Sequence, residues 1–473
     1  MSSQFLEDCR SLVGPRNVLM AEDDLRRFEV DVWQQYSGKA AAVIRPGTTA
    51  EVASVVALAA RHGITLVPQA GNTGLVNGGI PDASGSQVVI SVERLDKIRA
   101  MDAAAGFLIV EAGCILDKVR SAAEEANRMF PLALGSGGSC RIGGNIATNA
   151  GGLNVLRYGM MRDLVLGIEV VLADGSVLDM LNPLRKDNTG YDLKQLFIGS
   201  EGTLGVVTAA SLKLASRPKE TVTVWLAVTA AEDVLTLFSR LGDRFGELIS
   251  AFELLTADCV DNVLGGISGV QSPLSAPHPL HLLIEVAWTF ESGLLAHVEA
   301  ALEALLNEGL CADGAIAVSE AQRVNMWRLR ESQSEAASKY GYVLRSDVSI
   351  PIRELPGLLG WTESTKARLS GSGVKVLSFG HVGDGNIHIN FVLPPGSKTA
   401  LRSELLSDLY ALIDQLNGSI SAEHGVGRAK REAVASRHSA SRREIERRIK
   451  RAFDPHNLLN PGVILSADRI DLK

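Results

Sequence analysis

LGSGGSCRIGGNIATNAGG, residues 134–152, is the middle one of three glycine-rich stretches from which the fold of this chain can be predicted. The other two are QAGNTGLVNGGIP at 69–81 and FIGSEGTLGVV at 197–207. Glycine has no side chain, so backbone N–H groups in such loops can come close to phosphate oxygens. None of the stretches has the G-x-G-x-x-G spacing of a nicotinamide-binding fold or the spacing of a triphosphate-binding loop. Taken singly, each is explained equally well by tight structural turns.

Length and composition limit the number of domains, the class of partner and the location that the chain can have. The chain has 473 residues, which predicts two or three packed units, and 46 glycines, about a tenth of the chain against a usual ~7%. The net charge of −7 gives no field that attracts nucleic acid, so we expect no nucleic-acid partner. Five separated cysteines, an N-terminus without an apolar signal region and the lack of a long apolar run predict a soluble cytoplasmic protein without a transmembrane segment.

The local pattern predicts two different domains. Residues 41–68 read as a β-α-β unit, in which Thr48 and Glu51 begin the helix as a capping box and Gly63 ends it. A hairpin is expected around Asp174-Gly175. After Arg217-Pro218 the glycine-rich loops stop, and strands alternate with helices over 231–245, 292–308, 320–340 and 400–417. This alternation is typical of a second, α/β domain.

In combination and in this order, the glycine-rich loops resemble the vanillyl-alcohol-oxidase-like, PCMH-type FAD-binding domain, and DPHNLLNPG (454–462) resembles that family's C-terminal return to the flavin domain. The resemblance implies an α+β flavoprotein with a FAD-binding domain at 1–218, an α/β substrate (cap) domain at 219–420 and a returning segment at 421–473 that completes the active site. It also implies non-covalent FAD, because no histidine lies in the loops. The cofactor-binding residues that it implies are Gly71, Asn72, Thr73 and Gly74 at the pyrophosphate, and Gly143, Gly144, Thr148, Gly151, Gly202, Val206 and Asn460 elsewhere along the cofactor.

A second motif, GHVGDGNIHIN at 380–390, predicts a strand, a glycine turn and a returning strand. His388 and Asn390 share one face of the returning strand, and His381 enters the turn from its partner, so the two imidazoles can converge on a divalent ion. Hydrogen-bonded structural histidines are the alternative. In SISAEHGVG (419–427), Glu423 offers a third ligand and His424 a base.

GHVGDGNIHIN, AEHGVG and WRLRESQSEAAS (327–338) resemble the D-2-hydroxyacid dehydrogenases of the same flavin family. The resemblance implies a divalent metal, zinc or a similar ion, on His381, His388 and Glu423. It further implies that His424 binds substrate and acts as general base while the α-hydrogen leaves as hydride to flavin N5. Such an ion would stabilise the alkoxide that forms from a bound 2-hydroxyacid.

Basic side chains favour a dicarboxylate substrate. Arg330 and Ser334 stand four residues apart on the predicted helix, and Arg345 stands in VLRSDVSIP (343–351). Relatives that act on hydroxyglutarate have threonine and lysine at the positions aligned with Ser334 and Arg345. An ion pair with Asp347 is the structural alternative for Arg345. With Asn390 these residues form the predicted substrate-binding set, for D-2-hydroxyglutarate first and for D-malate or D-lactate second.

Other functions and partners remain alternatives. Oxidases and aryl-alcohol or sugar dehydrogenases use the same flavin domain without a metal site, and a non-catalytic flavin-binding module is the weakest alternative. The electron acceptors considered are an electron-transfer flavoprotein, a quinone and a cytochrome. A homodimer, the commonest arrangement of soluble enzymes, is the oligomer considered.

Overall fold

A computed structural model describes residues 3–466 and divides them into two compact units. Of the described residues, the first unit comprises 3–152, 159–217 and 423–466, and the second comprises 153–158 and 218–422. Residues 1–2 and 467–473, which the sequence analysis assigned to the flavin-binding domain and the returning segment, lie outside the described residues.

The elements are numbered in chain order. The helices are α1 (Ser3–Val13), α2 (Glu22–Glu29), α3 (Thr49–His62), α4 (Leu116–Glu125), α5 (Ile142–Ala147), α6 (Val155–Tyr158), α7 (Met161–Leu164), α8 (Lys194–Phe197), α9 (Ala231–Phe245), α10 (Ala257–Gly266), α11 (Leu294–Asn307), α12 (Glu320–Glu331), α13 (Gln333–Ser338), α14 (Leu355–Arg368), α15 (Thr399–Gln415), α16 (Arg431–Arg437) and α17 (Ala440–Phe453). The strands are β1 (Val18–Leu19), β2 (Ala40–Ile44), β3 (Leu66–Gln69), β4 (Gln87–Ser91), β5 (Ile98–Asp102), β6 (Phe107–Glu111), β7 (Arg128–Met129), β8 (Val165–Val171), β9 (Val177–Met180), β10 (Val206–Lys213), β11 (Ala215–Ser216), β12 (Glu220–Val228), β13 (Ile249–Thr256), β14 (Leu280–Trp288), β15 (Asp313–Ile316), β16 (Tyr342–Leu344), β17 (Val348–Ser349), β18 (Lys375–Gly380) and β19 (Asn386–Leu393).

The first unit contains a four-stranded sheet of order β1-β2-β4-β3, an antiparallel five-stranded sheet of order β5-β6-β10-β8-β9 and the short pair β11-β7. The predicted β-α-β unit is confirmed. The side chain of Thr48 accepts a hydrogen bond from the N–H of Glu51 at the start of α3, and Gly63 ends the helix with a φ of 63°. β2 and β3 both run parallel to β4, which lies between them.

The hairpin predicted around Asp174-Gly175 is also present, as the antiparallel pair β8 and β9. Gly175 has a φ of 88°, and the carboxylate of Asp174 accepts hydrogen bonds from the N–H and hydroxyl of Ser176. The turn residues therefore account for this connection locally, as expected for an Asp-Gly pair.

The second unit is built on an eight-stranded sheet of order β15-β12-β14-β13-β18-β19-β16, with β17 paired to β19. Every pairing in this sheet is antiparallel, so the alternation of strands and helices does not build a parallel sheet here. α10, α12 and α13 contribute to a core that also contains Trp225, Leu255 and Phe379 from the strands. The fold is therefore α+β.

Two local predictions need correction in this unit. Residues 153–158 belong to the second unit, although we placed the boundary at 218, because Leu153 packs against its core and Arg157 donates a hydrogen bond to the carbonyl of Ala287. The helix predicted over 320–340 is interrupted at Ser332, whose φ of −83° and ψ of 9° separate α12 from α13.

Candidate active site

The loop that follows β3 offers unpaired backbone donors. Among the residues that the structure describes, none accepts a hydrogen bond from the N–H groups of Gly71, Asn72, Thr73 or Gly74. The side chain of Asn72 closes the loop, with a φ of 52° and hydrogen bonds to the carbonyls of Arg27 and Val30. A run of open N–H groups suits the oxygens of a pyrophosphate. These four residues therefore fit the role that the sequence predicts for them.

Several glycines of the predicted flavin loops are also required by packing. A Cβ atom on Gly71 would lie 2.5 Å from the carbonyl oxygen of Ser139, and one on Gly143 would lie 2.7 Å from Ala112 Cβ. A Cβ atom on Gly144 would meet Ala70, and Gly202, with a φ of 71°, lies against Pro68. The loops thus approach each other at distances that only glycine permits. Whether these glycines also contact the cofactor stays a prediction.

The other predicted flavin residues of the first unit lie on or beside these loops. Thr148 follows α5 and donates its hydroxyl hydrogen bond to the carbonyl of Gly144 at 3.0 Å. Gly151 is buried in the loop after α5, and Val206 is buried at the start of β10, where it pairs with Val171. Thr148 lines a cavity of about 200 Å³ within the first unit, together with Gly199, Glu201, Gly425, Val426, His438 and Arg442.

The segment 454–462 returns to the first sheet through backbone hydrogen bonds. The N–H of Leu66 donates to the carbonyl of Leu458, and the N–H of Asn460 donates to the carbonyl of Leu66, both at 2.7 Å. Asn460 Nδ2 donates to the carbonyls of Gly78 and Glu201, while Asn460 Oδ1 is buried and has no hydrogen-bond donor among the described residues. A buried acceptor without a donor is costly, so a donor on a bound cofactor would stabilise it.

Buried charges hold this returning segment. Lys450 is 4% exposed and donates to Asp454, which is fully buried, and to the carbonyls of Thr203 and Leu459. Asp454 also accepts hydrogen bonds from the N–H groups of Leu458 and Leu459. The charge of each partner is therefore neutralised by the other, as a buried ion pair requires.

Glu201 is a residue of the third loop whose role we did not predict. It adopts a φ of 50°, and its carboxylate accepts hydrogen bonds from the N–H groups of Val426 and Gly427, both at 2.8 Å. Burial raises the pKa of Glu201 to about 7, against the opposing effect of these two hydrogen bonds and of Lys430. The carboxylate thus fixes the backbone of the segment that contains AEHGVG.

Glu423 and His424 begin that segment. Glu423 Oε2 accepts a hydrogen bond from the N–H of Gly152 at 2.8 Å, and Glu423 Oε1 lies 3.9 Å from His424 Nε2. Gly425 and Gly427 follow with φ values of 84° and 54°, and a Cβ atom on Gly427 would collide with the carbonyl of Val76. The glycines that flank the pair therefore impose a backbone that other residues adopt only with strain.

In the second unit, the predicted strand pair is present as β18 and β19, and it brings His381 and His388 together. Their ring centroids lie 5.7 Å apart, and each residue is 8% exposed. His388 and Asn390 alternate with the fully buried Ile387, Ile389 and Phe391, as predicted for the two faces of the strand. The strand pair therefore places the two imidazoles next to each other, as the sequence predicts.

Two carboxylates that we did not predict at these positions lie near the two histidines. Glu253 Oε1 lies 2.6 Å from His381 Nδ1, and Asp347 Oδ1 lies 3.9 Å from His388 Nδ1. Asp347 is fully buried and also accepts hydrogen bonds from Asn386 Nδ2 and from the N–H of Ala422, both at 3.0 Å. The hydrogen bond between Glu253 and Nδ1 of His381 leaves the lone pair of that imidazole on Nε2, the usual arrangement behind a metal-binding imidazole. The 3.9 Å between Asp347 Oδ1 and His388 Nδ1 is too long for a hydrogen bond.

Arg330 is buried against Glu253, the carboxylate that also contacts His381. Its Nε donates to Glu253 Oε2 at 2.6 Å, and its guanidinium lies 5.0 Å from the ring centroid of Phe379. Burial alone would raise the pKa of Glu253, but Arg330 and His381 lower it to about 2. Among the described residues, none accepts a hydrogen bond from the two terminal nitrogens of Arg330. A buried cation with open donors is suited to an anionic ligand.

The remaining predicted substrate residues lie in the second unit. Asn390 is 3% exposed, and its side-chain amide forms no hydrogen bond with any described residue. Ser338 Oγ donates to the carbonyl of Ser334 and accepts a hydrogen bond from Arg345 Nη2. The interruption at Ser332 means that Ser334 begins a new helical turn after Arg330, so the predicted i,i+4 relation on one continuous helix does not hold.

Glu253 could have been suspected from the sequence. It is the single charged residue of ISAFELLT, an apolar run that forms β13. Charged side chains are almost never buried without a partner, so a lone glutamate in a buried strand indicates one. Its partners lie 77 and 128 residues away, and no local pattern identifies them.

Comparisons with known proteins show the family of this chain. The model of FAD-linked oxidases, C-terminal domain, matches residues 217–464, and the model of the FAD binding domain matches residues 40–181. A probable mitochondrial D-2-hydroxyglutarate dehydrogenase of Oryza sativa subsp. indica is 40% identical over 98% of this chain and 82% of that protein. A mitochondrial D-2-hydroxyglutarate dehydrogenase of Bos taurus is 39% identical over 96% of this chain and 82% of that protein. A putative mitochondrial D-lactate dehydrogenase of Schizosaccharomyces pombe is 36% identical over 98% of this chain and 90% of that protein.

Solved structures show the same fold at low identity. p-Cresol methylhydroxylase with substrate bound superposes with a TM-score of 0.77 at 17% identity, covering 98% of this chain and 97% of that one. An alkyldihydroxyacetonephosphate synthase superposes with a TM-score of 0.75 at 15% identity, covering 98% of this chain and 85% of that one. The predicted two-domain fold with a PCMH-type FAD-binding domain is therefore confirmed.

The chain belongs to the FAD-linked oxidase family. Within that family it is one of the FAD-dependent D-2-hydroxyacid dehydrogenases, as the sequence resemblance predicted. None of the helices within residues 3–466 combines the length and hydrophobicity needed to cross a bilayer.

Proposed function

We propose that this enzyme oxidises D-2-hydroxyglutarate to 2-oxoglutarate. The observation that carries the proposal is Arg330, a buried arginine whose terminal nitrogens are open and whose Nε is held by Glu253, the carboxylate that also contacts His381. A substrate with a second carboxylate makes use of such a cation, whereas lactate has no group for it. The names of the rice and bovine relatives support the same substrate.

Non-covalent FAD would be held by the first unit. The open N–H groups of residues 71–74 suit its pyrophosphate, and Asn460 Oδ1 offers a buried acceptor to one of its donors. The other residues that we propose to contact it are Gly143, Gly144, Thr148, Gly151, Gly202 and Val206. When bound, FAD supplies the acceptor for the hydride that leaves the substrate C2 carbon.

A divalent metal, zinc in our proposal, would be held by His381, His388 and Glu423. Two imidazoles and one carboxylate are a donor set that binds zinc and related ions and leaves a position open for substrate. The hydrogen bond between His381 Nδ1 and Glu253 supports this role. When bound, the ion supplies positive charge at the substrate hydroxyl and carboxylate.

Side chains of the protein carry out the proton transfer and bind the substrate. His424 accepts the proton of the C2 hydroxyl on an imidazole nitrogen while the C2 hydrogen leaves with its electron pair, so that the C2–O bond becomes a carbonyl. Arg330 and Arg345 bind the distal carboxylate, and Asn390 and Ser334 donate hydrogen bonds to substrate oxygens. These groups bind the substrate in one orientation, which is the contribution that positioning makes to the rate.

An electron-transfer flavoprotein, a quinone or a cytochrome would then reoxidise the enzyme, and we propose no choice among them. A homodimer and a cytoplasmic location likewise remain predictions. The three relatives described above are named as mitochondrial proteins.

Steady-state turnover with an artificial electron acceptor tests the substrate assignment. We expect kcat/KM to be largest for D-2-hydroxyglutarate, lower for D-malate and lowest for D-lactate. A larger kcat/KM for D-lactate would contradict the assignment. It would favour the second candidate, D-lactate oxidation, which is supported by the name of the Schizosaccharomyces pombe relative.

A further inference from the structure

We propose that Glu253 is a positioning residue that fixes the tautomer of His381 and the plane of Arg330 together, and so couples metal binding to recognition of the distal carboxylate. This inference rests on the proposed function, in which His381 binds the metal and Arg330 binds substrate. It adds a role for a residue that contacts neither ligand.

Glu253 is placed for this role by the centre of the sheet. It lies on β13 between β14 and β18, is 1% exposed, and pairs in register with Leu283. Each of its oxygens serves one partner, Oε1 at His381 Nδ1 and Oε2 at Arg330 Nε, both at 2.6 Å. Since water does not reach the carboxylate, these two side chains are what compensates its charge.

The contact with His381 selects a tautomer. A carboxylate accepts hydrogen bonds, so the imidazole places its proton on Nδ1 and its lone pair on Nε2. Only the nitrogen that carries the lone pair can bind a metal. Loss of such a supporting carboxylate typically weakens metal affinity about 10–100-fold in other proteins.

The contact between Glu253 and Arg330 orients the guanidinium group of the arginine. Arg330 Nε is bound by Glu253, and one face of the guanidinium is covered by the Phe379 ring. These two contacts fix the plane of the group, so its terminal nitrogens point in a fixed direction for a bidentate carboxylate. A flexible arginine would lose that specificity.

Replacement of Glu253 by glutamine distinguishes an effect on the His381 tautomer from an effect on packing. Arg330 Nε is always a donor, so the amide oxygen of Glu253→Gln must face Arg330. The amide nitrogen must then face His381 and donate to Nδ1, which moves the histidine proton to Nε2. The variant therefore preserves volume and the arginine contact but places the wrong histidine nitrogen in the protonated state.

The experiment is an isothermal calorimetric titration of zinc into the flavin-loaded, metal-stripped enzyme, with KM measured afterwards for D-2-hydroxyglutarate and D-lactate. We expect Glu253→Gln to weaken zinc binding about 10–100-fold. Glu285→Gln is the matched control. Glu285 is on the neighbouring strand β14 and accepts hydrogen bonds from Trp327 and Thr223. The zinc affinity of the Glu285→Gln variant should equal that of the wild type.

Glu253→Asp covers the case in which the glutamine variant does not fold. It keeps the charge but is one methylene shorter, so it can reach only one of its two partners at full hydrogen-bond distance. We expect either weaker zinc binding or a KM for D-2-hydroxyglutarate that rises while the KM for D-lactate does not. Wild-type zinc affinity together with wild-type KM values for both substrates would overturn the proposal.

The outcomes separate this inference from the function on which it rests. If the wild type binds zinc and prefers D-2-hydroxyglutarate but Glu253→Gln binds zinc equally well, the role of Glu253 is overturned and the proposed function stands. If the wild type binds no zinc, the proposed metal site is wrong and the inference falls with it.

Discussion

Replacement of Glu201 by glutamine should make the stability of the protein less dependent on pH. Glu201 is 7% exposed and accepts two hydrogen bonds from the backbone of Val426 and Gly427. Burial raises its pKa from 4.5 to about 7 in the folded protein. Glutamine has nearly the same shape and does not titrate. Its amide nitrogen faces one of the two N–H groups, so the variant loses one hydrogen bond at every pH, and the change of the stability difference with pH reports the cost of ionising this group in place.

The sign follows from the raised pKa. Well below pH 4.5 the carboxyl is protonated in both the folded and the unfolded chain, and it contributes no pH-dependent cost. As pH rises to about 7, the unfolded chain loses the proton readily while the folded chain does not, so stability falls. The difference of about 2.5 pKa units corresponds to about 3 kcal/mol above pH 7.

Thermal unfolding followed by circular dichroism measures this effect. A change of about 1 kcal/mol in the free energy of unfolding shifts the melting temperature by about 2 °C. The melting temperature of Glu201→Gln relative to wild type should therefore rise by about 6 °C between about pH 5 and about pH 8. Glu169→Gln is the control, since Arg99, Thr49 and Thr208 lower the pKa of Glu169 against the effect of its burial. The stability that ionised Glu169 contributes is lost only below about pH 5. The difference in melting temperature between Glu169→Gln and the wild type should therefore be constant between about pH 5 and about pH 8. A constant difference for Glu201→Gln as well would show that the pKa of Glu201 is not raised in the folded protein.

Three further outcomes are expected. Asp454→Asn should destabilise the protein by about 3–5 kcal/mol, because it leaves Lys450 buried without a counter-charge; a loss below about 1 kcal/mol in thermal unfolding would show that the pair is not needed. EDTA should abolish turnover without releasing flavin, and zinc should restore it; full activity after chelation would point to a metal-independent oxidase or dehydrogenase. Arg345→Ala should reduce kcat/KM about tenfold more for D-2-hydroxyglutarate than for D-lactate, whereas equal losses would assign Arg345 a structural role.

Features that depend on neighbouring residues were predictable from the sequence. Thr48 and Gly63 define the ends of α3, and Asp174-Gly175 defines a hairpin, because capping and turn geometry are set within a few residues. The convergence of His381 and His388 was predictable for the same reason, since a short turn and the period of a strand place both on one strand pair.

Features that depend on long-range packing were not predictable. The strand order that places β13 beside β18 brings Glu253 to His381, and neither residue's neighbours in the sequence indicate the other. The buried position of Glu201 depends in the same way on Val426 and Gly427, more than 200 residues later. The interruption at Ser332 lies within a helical hydrophobic pattern that gave no sign of it.

Anaerobic reduction of the bound flavin tests whether D-2-hydroxyglutarate is the substrate. The enzyme is mixed without oxygen or acceptor with D-2-hydroxyglutarate, L-2-hydroxyglutarate, D-malate and D-lactate, and the loss of visible flavin absorbance is followed. We predict that D-2-hydroxyglutarate bleaches the flavin fastest and that its L enantiomer does not bleach it. Bleaching by the L enantiomer, faster bleaching by D-lactate or no bleaching by any of the four acids would contradict it.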